Sequence, residues 1–297
     1  MSDAHLIVVG LGYCGTAIAA GAAGLGWRVT ATSRNPAVQT APPRVDLVAF
    51  DAAGPTLGEA THLVQTAAPN EDGDPALACF GEIIGANPRL RWAGYLSTTG
   101  VYGDRDGGWV DEDTPVGPGA VRAQRRVAAE QAWVAALPDA AVDLLRVAGI
   151  YGPGRSAFDD LRAGRARRVQ KPGHLFGRIH RDDIAAAVLA AMQQDRPPGP
   201  RVLNLADDEP AASADVTAEA ARLLNMAPPP LVPFEAAFAS MTSMGRSFWT
   251  ENRRVRSEKT QQRLGLRWRY PTYREGLRAI LQQEVAIAQQ EVTERTA

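Results

Sequence analysis

Lysine is nearly missing from this chain of 297 residues: Lys171 and Lys259 are the only two, and arginine supplies almost all the remaining positive charge. Positive and negative side chains balance to a net charge of -1, which leaves no general attraction to nucleic acid or to an anionic membrane surface. Cysteine is equally scarce. Cys14 and Cys79 stand far apart, without metal-ligand spacing, so neither a disulfide framework nor a metal site is expected. No apolar run approaches the ~18 residues of a membrane span, and Met1-Ser2-Asp3 leads directly toward an apolar strand and not into a signal-peptide pattern. These absences predict a soluble cytoplasmic protein with no nucleic-acid or membrane partner; a small-molecule substrate and a monomeric or homodimeric state are expected alongside. The chain is long enough for one large domain or two, and it contains no internal repeat.

What is present is alternation. HLIVVG (5–10), RVTATS (28–33), VDLVAF (45–50), HLVQTAA (62–68), AGYLST (93–98), VDLLRV (142–147) and RVLNLA (201–206) read as strands. Helical patterns intervene at 14–26, 74–87, 120–136 and 182–194, and others follow at 212–225 and from about Thr272. Alternation of this kind predicts an α/β fold, a Rossmann-type doubly wound parallel sheet of about seven strands. A proline cluster at 227–233 and an Arg-rich polar stretch mark a change of texture in the last third.

After the first strand the chain reads VVGLGYCGTAIA, placing Gly10, Gly12 and Gly15 in the order G-x-G-x-x-G at the start of a helix. In such a loop the first glycine makes the tight turn, the second lets the backbone approach a pyrophosphate, and the third lets helix and strand pack closely. The phosphates then meet helix N-terminal amides, here those around Leu11, Tyr13 and Cys14. At the end of the second strand an acidic residue would bind the ribose hydroxyl of NAD, whereas arginine suits the 2'-phosphate of NADP. Ser33-Arg34 stands there, so NADP (NADPH) is expected in preference to NAD. Asp51, after the third strand, could accept from an adenine amino group or cap a turn. Thr66, Ala67 and Ser97, at the ends of later strands, complete the expected cofactor set.

LSTTGVYGD (96–104), LRVAGIYGPG (145–154) and IHRDDIAAAV (179–188) follow in that order. Together with the glycine loop they resemble the short-chain dehydrogenase/reductase superfamily, in its extended or atypical branch of NAD(P)-dependent epimerase/dehydratase-like proteins. RLGLRWRYPTYREGLRAIL (263–281) is similar to that branch's C-terminal segment. The tighter G-x-G-x-x-G spacing, in place of the extended enzymes' T-G-x-x-G-x-x-G, points to the atypical branch. The resemblance implies an NADP-binding core over 1–154 and 179–206, with a discontinuous substrate-binding region over 155–178 and 207–297. It also implies that Thr98, four residues before Tyr102, is the substrate-orienting hydroxyl, and that Tyr102 and Tyr151 chiefly shape loops.

One family feature is missing. The Tyr-x-x-x-Lys pair belongs on the helix after VYG, with a glutamate commonly four residues after the Lys. Anchoring on Glu130 puts Arg126 at the Lys position and Arg122 at the Tyr position, and a shift of one gives Val121 and Arg125. Guanidinium groups hold anions but do not hand over protons. Thr98, Arg122 and Arg126 are therefore the catalytic candidates, with the arginines gripping a carboxylate, a phosphate or a developing oxyanion, or else facing solvent with an Arg126–Glu130 pair. The basic stretch 162–178 suggests an acidic group on the substrate, or a solvated loop. The expectation is an NADP-dependent oxidoreductase or epimerase-like enzyme acting on a small, anionic or nucleotide-sugar substrate. The alternative is a catalytically silent NADP-binding sensor or regulatory protein.

Overall fold

The computed structural model describes residues 4–296. Seven strands form the central sheet: β1 (His5–Val9), β2 (Arg28–Ser33), β3 (Val45–Ala49), β4 (His62–Gln65), β5 (Trp92–Thr98), β6 (Ala141–Val147) and β7 (Gly199–Leu205). Their spatial order is β3-β2-β1-β4-β5-β6-β7, and every neighbouring pair is parallel. The sheet is doubly wound: the chain moves outward through β2 and β3, then crosses back to place β4 on the other side of β1.

The apolar strand runs follow from burial on both faces. In β1, Leu6 and Val8 pack into one core, while Ile7 and Val9 pack into the other. Helices α1 (Tyr13–Gly24) and α5 (Arg181–Met192) cover the first face. Helices α2 (Pro75–Gly85) and α3 (Val121–Ala136) cover the second, where Phe80 and Trp133 are buried. The small residues of α1 have a packing role: a Cβ on Gly21 would come within 2.7 Å of Leu189 Cδ1. Among the described residues no helix is long and apolar enough to cross a membrane.

The segments after β6 build further cores. Helices α4 (Ala157–Arg162), α6 (Ser213–Leu223) and α7 (Tyr273–Thr296) enclose Phe158, Ala220, Tyr273 and Leu277, while Val169, Ala237 and Trp249 form another cluster. Three two-stranded parallel ribbons join distant segments, a feature too short for the hydrophobic pattern to announce. They pair Gly149–Tyr151 with Arg178–His180, Arg168–Gln170 with Leu231–Pro233, and Trp109–Val110 with Arg254–Val255. The last ribbon matters most for the site, because it brings residues from late in the chain beside the loop that follows β5.

Candidate functional site

The strand order reverses at β1, so a crevice opens where β1 and β4 end. The turn after β1 is held from both sides. Gly10 N donates to Thr32 Oγ1 in β2 at 3.0 Å, and Gly10 O accepts from Thr66 Oγ1, just beyond β4, at 2.6 Å. Gly10 has φ 97°, a region that L side chains rarely adopt. A Cβ on Gly15 would lie 2.2 Å from Gly10 O, so helix and turn approach too closely for any larger residue. Gly12 differs. Its backbone (φ -87°, ψ -163°) suits any residue, and an added Cβ would meet no protein atom within 4 Å. Nothing inside the protein demands a glycine at that point; open space lies in front of it.

Helix α1 begins at this opening with no side-chain cap and no acidic residue in its first turn. Its positive dipole end and first-turn amides are therefore left for an anion. Leu11 is buried, with its N–H donating to Thr32 O at 2.8 Å and its carbonyl accepting from Gln39. The Cys14 thiol is buried, which pushes its pKa up to about 11 and makes it a packing group. Tyr13 turns outward, and its hydroxyl donates to Pro153 O at 2.9 Å. That bond ties the glycine loop to the strap leading from β6 into α4.

At the far end of the crevice, Ser33 Oγ accepts from Asn35 N at 3.1 Å, forming a local turn that presents Arg34. Arg34 is exposed and has no hydrogen-bonding or ion-pair partner among the described residues. Asp51 is exposed beyond β3. Thr66 and Ala67 stand against Gly10, where Thr66 Oγ1 and Ala67 N are 2.9 and 3.5 Å from the position of an added Cβ.

Toward β5 the predicted residues separate into two groups. Thr98 ends the strand half-buried, and its Oγ1 accepts from Gly100 N at 3.1 Å, leaving the hydroxyl proton free to donate. Ser97 points the other way. It is buried and donates to Glu130 Oε1 at 2.5 Å. Glu130 also takes a bidentate pair from Arg146, at 3.1 Å to Nε and 2.8 Å to Nη2. The Arg126–Glu130 pair suggested by helical spacing is thus replaced by a buried tertiary pair. Arg126 instead donates to Leu96 O at 2.7 Å and to Tyr95 Oη at 3.2 Å, clamping α3 to the end of β5. Arg122 remains exposed at the start of α3, without a partner among the described residues.

Sequence reading missed Arg253. It enters from the segment that forms the third ribbon, and its Nη1 donates to Gly103 O at 2.9 Å and to Glu251 Oε2 at 2.7 Å. Its Nη2 lies 3.7 Å, and Thr98 Oγ1 3.3 Å, from the point where Gly100 would carry a Cβ. No pattern marks Arg253 in so arginine-rich a chain.

The two motif phenols are hydrogen-bonded and the motif histidine is buried. Tyr102 is fully buried and donates to Asn204 Oδ1 at 2.7 Å, and Tyr151 is buried beside Thr272 O. Burial raises the pKa of both. His180 caps α5 by accepting from Asp182 N at 3.2 Å, and burial lowers its pKa to about 4. The basic stretch 162–178 is largely spent on its own fold: Arg162 pairs with Glu284 at 2.6 Å, Arg165 with Asp160 at 3.1 Å, and Lys171 donates to Trp249 O at 2.6 Å. A separate pocket of about 360 Å³ opens beside α4 and α7, lined in part by Arg155, Arg178 and Tyr273. Neither the glycine loop nor Thr98 lines it.

A doubly wound parallel sheet, with an uncapped glycine loop at its switch point and a hydroxyl at the end of β5, is the architecture of the Rossmann-type dinucleotide-binding fold. Over 178 residues the chain is 30% identical to Protein YeeZ of Escherichia coli K12, a match covering 60% of this chain and 58% of YeeZ. Over 179 residues it is 28% identical to a 3-diazoavenalumate denitrifying reductase from a Streptomyces species, covering 57% of this chain and 58% of the reductase. The matches therefore span little more than half of these curated relatives. A conserved protein of unknown function from Silicibacter pomeroyi DSS is 44% identical in structural alignment, covering 95% of this chain and 99% of that one, with a TM-score of 0.85. A protein from Methylobacillus flagellatus, described as an NAD-dependent epimerase/dehydratase, is 25% identical over 95% of this chain and 99% of its own, with a TM-score of 0.73. No family model matches the chain. In fold the chain is similar to the atypical, NAD(P)-dependent epimerase/dehydratase-like members of the short-chain dehydrogenase/reductase superfamily.

Proposed function

We propose that this protein is an NADP(H)-dependent oxidoreductase that works without the Tyr-x-x-x-Lys device. The observation that carries the reading is Gly12, a glycine that neither backbone nor packing requires, facing open space at the switch point beside an uncapped helix. The Tyr13 and Cys14 amides would hold the pyrophosphate there. Arg34, exposed and unpaired, would meet the 2'-phosphate, and Asp51 the adenine amino group. When bound, the cofactor supplies or accepts a hydride. The descriptions of the Methylobacillus and Streptomyces proteins, one NAD-dependent and one a reductase, support this chemistry.

Thr98 would donate its free hydroxyl proton as a hydrogen bond to the substrate oxygen. Arg122 would contribute charge at the start of α3, whereas Arg126 supports the strand end from behind. None of the three motif groups is ready to give a proton. His180 is neutral above about pH 4, and the Tyr102 and Tyr151 phenols are buried and weakly acidic. The proton would then come from water entering the cleft. Loss of the family's general acid removes a factor of ~10² to 10⁴ in rate, so slow turnover is expected.

One observation favours a sensor instead: Arg126, standing where the family has its lysine, is committed to Leu96 O and Tyr95 Oη. Titrating NADPH and NADH against intrinsic tryptophan fluorescence, then assaying a panel of carbonyl compounds, separates the readings. Tighter binding of NADPH with turnover supports the enzyme. Tight NADPH binding with no turnover across the panel supports the sensor, and equal affinity for both cofactors removes the assignment to NADP.

A further inference from the structure

We propose that Arg253 is the anion-binding residue of the cleft, and that the substrate is a small 2-oxo acid or its 2-hydroxy counterpart. This rests on the cofactor reading above. Two donors flank the same glycine: Thr98 Oγ1 lies 3.3 Å and Arg253 Nη2 3.7 Å from the point where Gly100 would carry a Cβ, so the hydroxyl and the guanidinium are near neighbours. Gly100 has no left-handed φ that would require glycine. Its missing side chain lets the hydroxyl and the guanidinium come close together, and a methyl group there would press on Thr98.

The guanidinium is held in place. Gly103 O and Glu251 fix Nη1, both side chains of the Arg253–Glu251 pair are less than one-fifth exposed, and Nη2 has no partner among the described residues. A planar guanidinium anchored through one edge and free at another suits a carboxylate oxygen. Spacing selects the substrate. A nucleotide sugar carries its phosphates several bonds from the carbon that reacts, whereas these two donors address neighbouring atoms. A carbonyl on Thr98 with a carboxylate bonded directly to it satisfies both.

In the reductive direction the C=O π bond breaks. Its carbon gains a hydride from the reduced nicotinamide, and its oxygen gains a proton from water, giving a 2-hydroxy acid and the oxidised cofactor. Arg253 holds the carboxylate throughout and takes no part in the proton transfer.

The test uses the full chain and sulfite, a small anion that adds to C4 of an oxidised nicotinamide and is read by the adduct's near-ultraviolet absorbance. NADP⁺ is first titrated by fluorescence into wild type, Arg253→Gln, Arg253→Lys and Gly100→Ala, each checked for an unchanged melting transition. Sulfite is then titrated at saturating NADP⁺. The expected result is NADP⁺ affinity within about twofold of wild type in every variant. Sulfite affinity should fall about 10- to 100-fold in Arg253→Gln, the loss expected for a charged hydrogen bond. Arg253→Lys should recover part of it, and Gly100→Ala should also weaken it. Initial rates with 2-oxo acids should exceed those with the corresponding aldehydes in wild type, and this preference should disappear in Arg253→Gln. Unchanged sulfite affinity in a folded Arg253→Gln protein overturns the proposal, as does a wild type that holds NADP⁺ but forms no adduct. A wild type that fails to bind NADP⁺ overturns the cofactor reading itself, and the first titration alone reveals it. If Arg253→Gln does not fold, Arg253→Lys and Gly100→Ala carry the comparison, and no loss in either refutes the assignment.

Discussion

Gly10 and Gly12 are two residues apart and answer to different demands. Gly10 is fixed by its own positive φ, whereas Gly12 is free of constraint from any atom of the protein. Gly12→Val should therefore leave stability within about 0.5 kcal/mol of wild type, as for surface changes away from special features. It should nevertheless abolish binding of NADPH and NADH alike, measured by fluorescence titration beside a thermal melt. Retained binding by the folded variant would reduce the loop to a turn. Arg34→Ala should weaken NADPH by about 1.5 to 3 kcal/mol, the range for a hydrogen bond to a charged group, and leave NADH almost unchanged. A parallel loss for both cofactors would detach Arg34 from the phosphate. The glycine spacing and Arg34 were legible in sequence because their signal is local: a turn, a helix start and a strand end. Arg253 was illegible for the opposite reason, since its meaning comes from Thr98 and Gly100, far away along the chain.

At the scale of elements, the end of β5 is held by α3 and β6 together. Arg126 reaches back to the Leu96 carbonyl, while Glu130 gathers Ser97 from β5 and Arg146 from β6. The Glu130 and Arg146 side chains are 5% and 7% exposed, so the pair is buried. Its net stabilisation is small, but removing one partner strands the other, at a cost of about 3 to 5 kcal/mol. Glu130→Ala should lower the urea midpoint accordingly, and Glu130→Ala with Arg146→Met should recover much of the loss. Equal destabilisation in the single and double variants would refute this account. The alternation of strands and helices predicted every strand of the central sheet, because both faces are buried and the apolar runs are long. Helical spacing alone, however, joins Arg126 to Glu130. A buried arginine on the next strand outcompetes that surface pair, and spacing along one helix carries no information about β6.

For the whole molecule, acid is the revealing variable. Burial lowers the pKa of His5, His62, His174 and His180, with His62 and His180 brought down to about 4. A histidine that titrates near 4 when folded and near 6.5 when unfolded stabilises the protein above pH 6.5. That contribution is lost as pH falls toward 4, because the unfolded chain takes up the proton first. Asp183, pushed up to about 6 by burial, acts in the opposite sense, and Asp207 is raised for the same reason. A variant comparison cancels these carboxylates. His180→Asn keeps a capping side chain for Asp182 N and removes the titration. Its stability relative to wild type should improve from pH 6.5 to pH 4, at about 1.4 kcal/mol per unit of pKa difference. Chemical denaturation at several pH values measures this, and a pH-independent difference would show that His180 does not titrate between folded and unfolded states.

The ribbon that pairs Trp109–Val110 with Arg254–Val255 also orders events in time. The glycine loop, β2 and β4 lie within the first quarter of the chain, so the cofactor crevice can assemble while synthesis continues. Arg253 meets Gly103 across 150 residues of sequence. At ribosomal speeds of about 5 to 20 residues per second, that separation is an interval of roughly 8 to 30 seconds. On the proposed reading, a growing chain would acquire its capacity for the nicotinamide cofactor well before its capacity for the anion, and the cofactor would already be seated as the last wall of the cleft arrives.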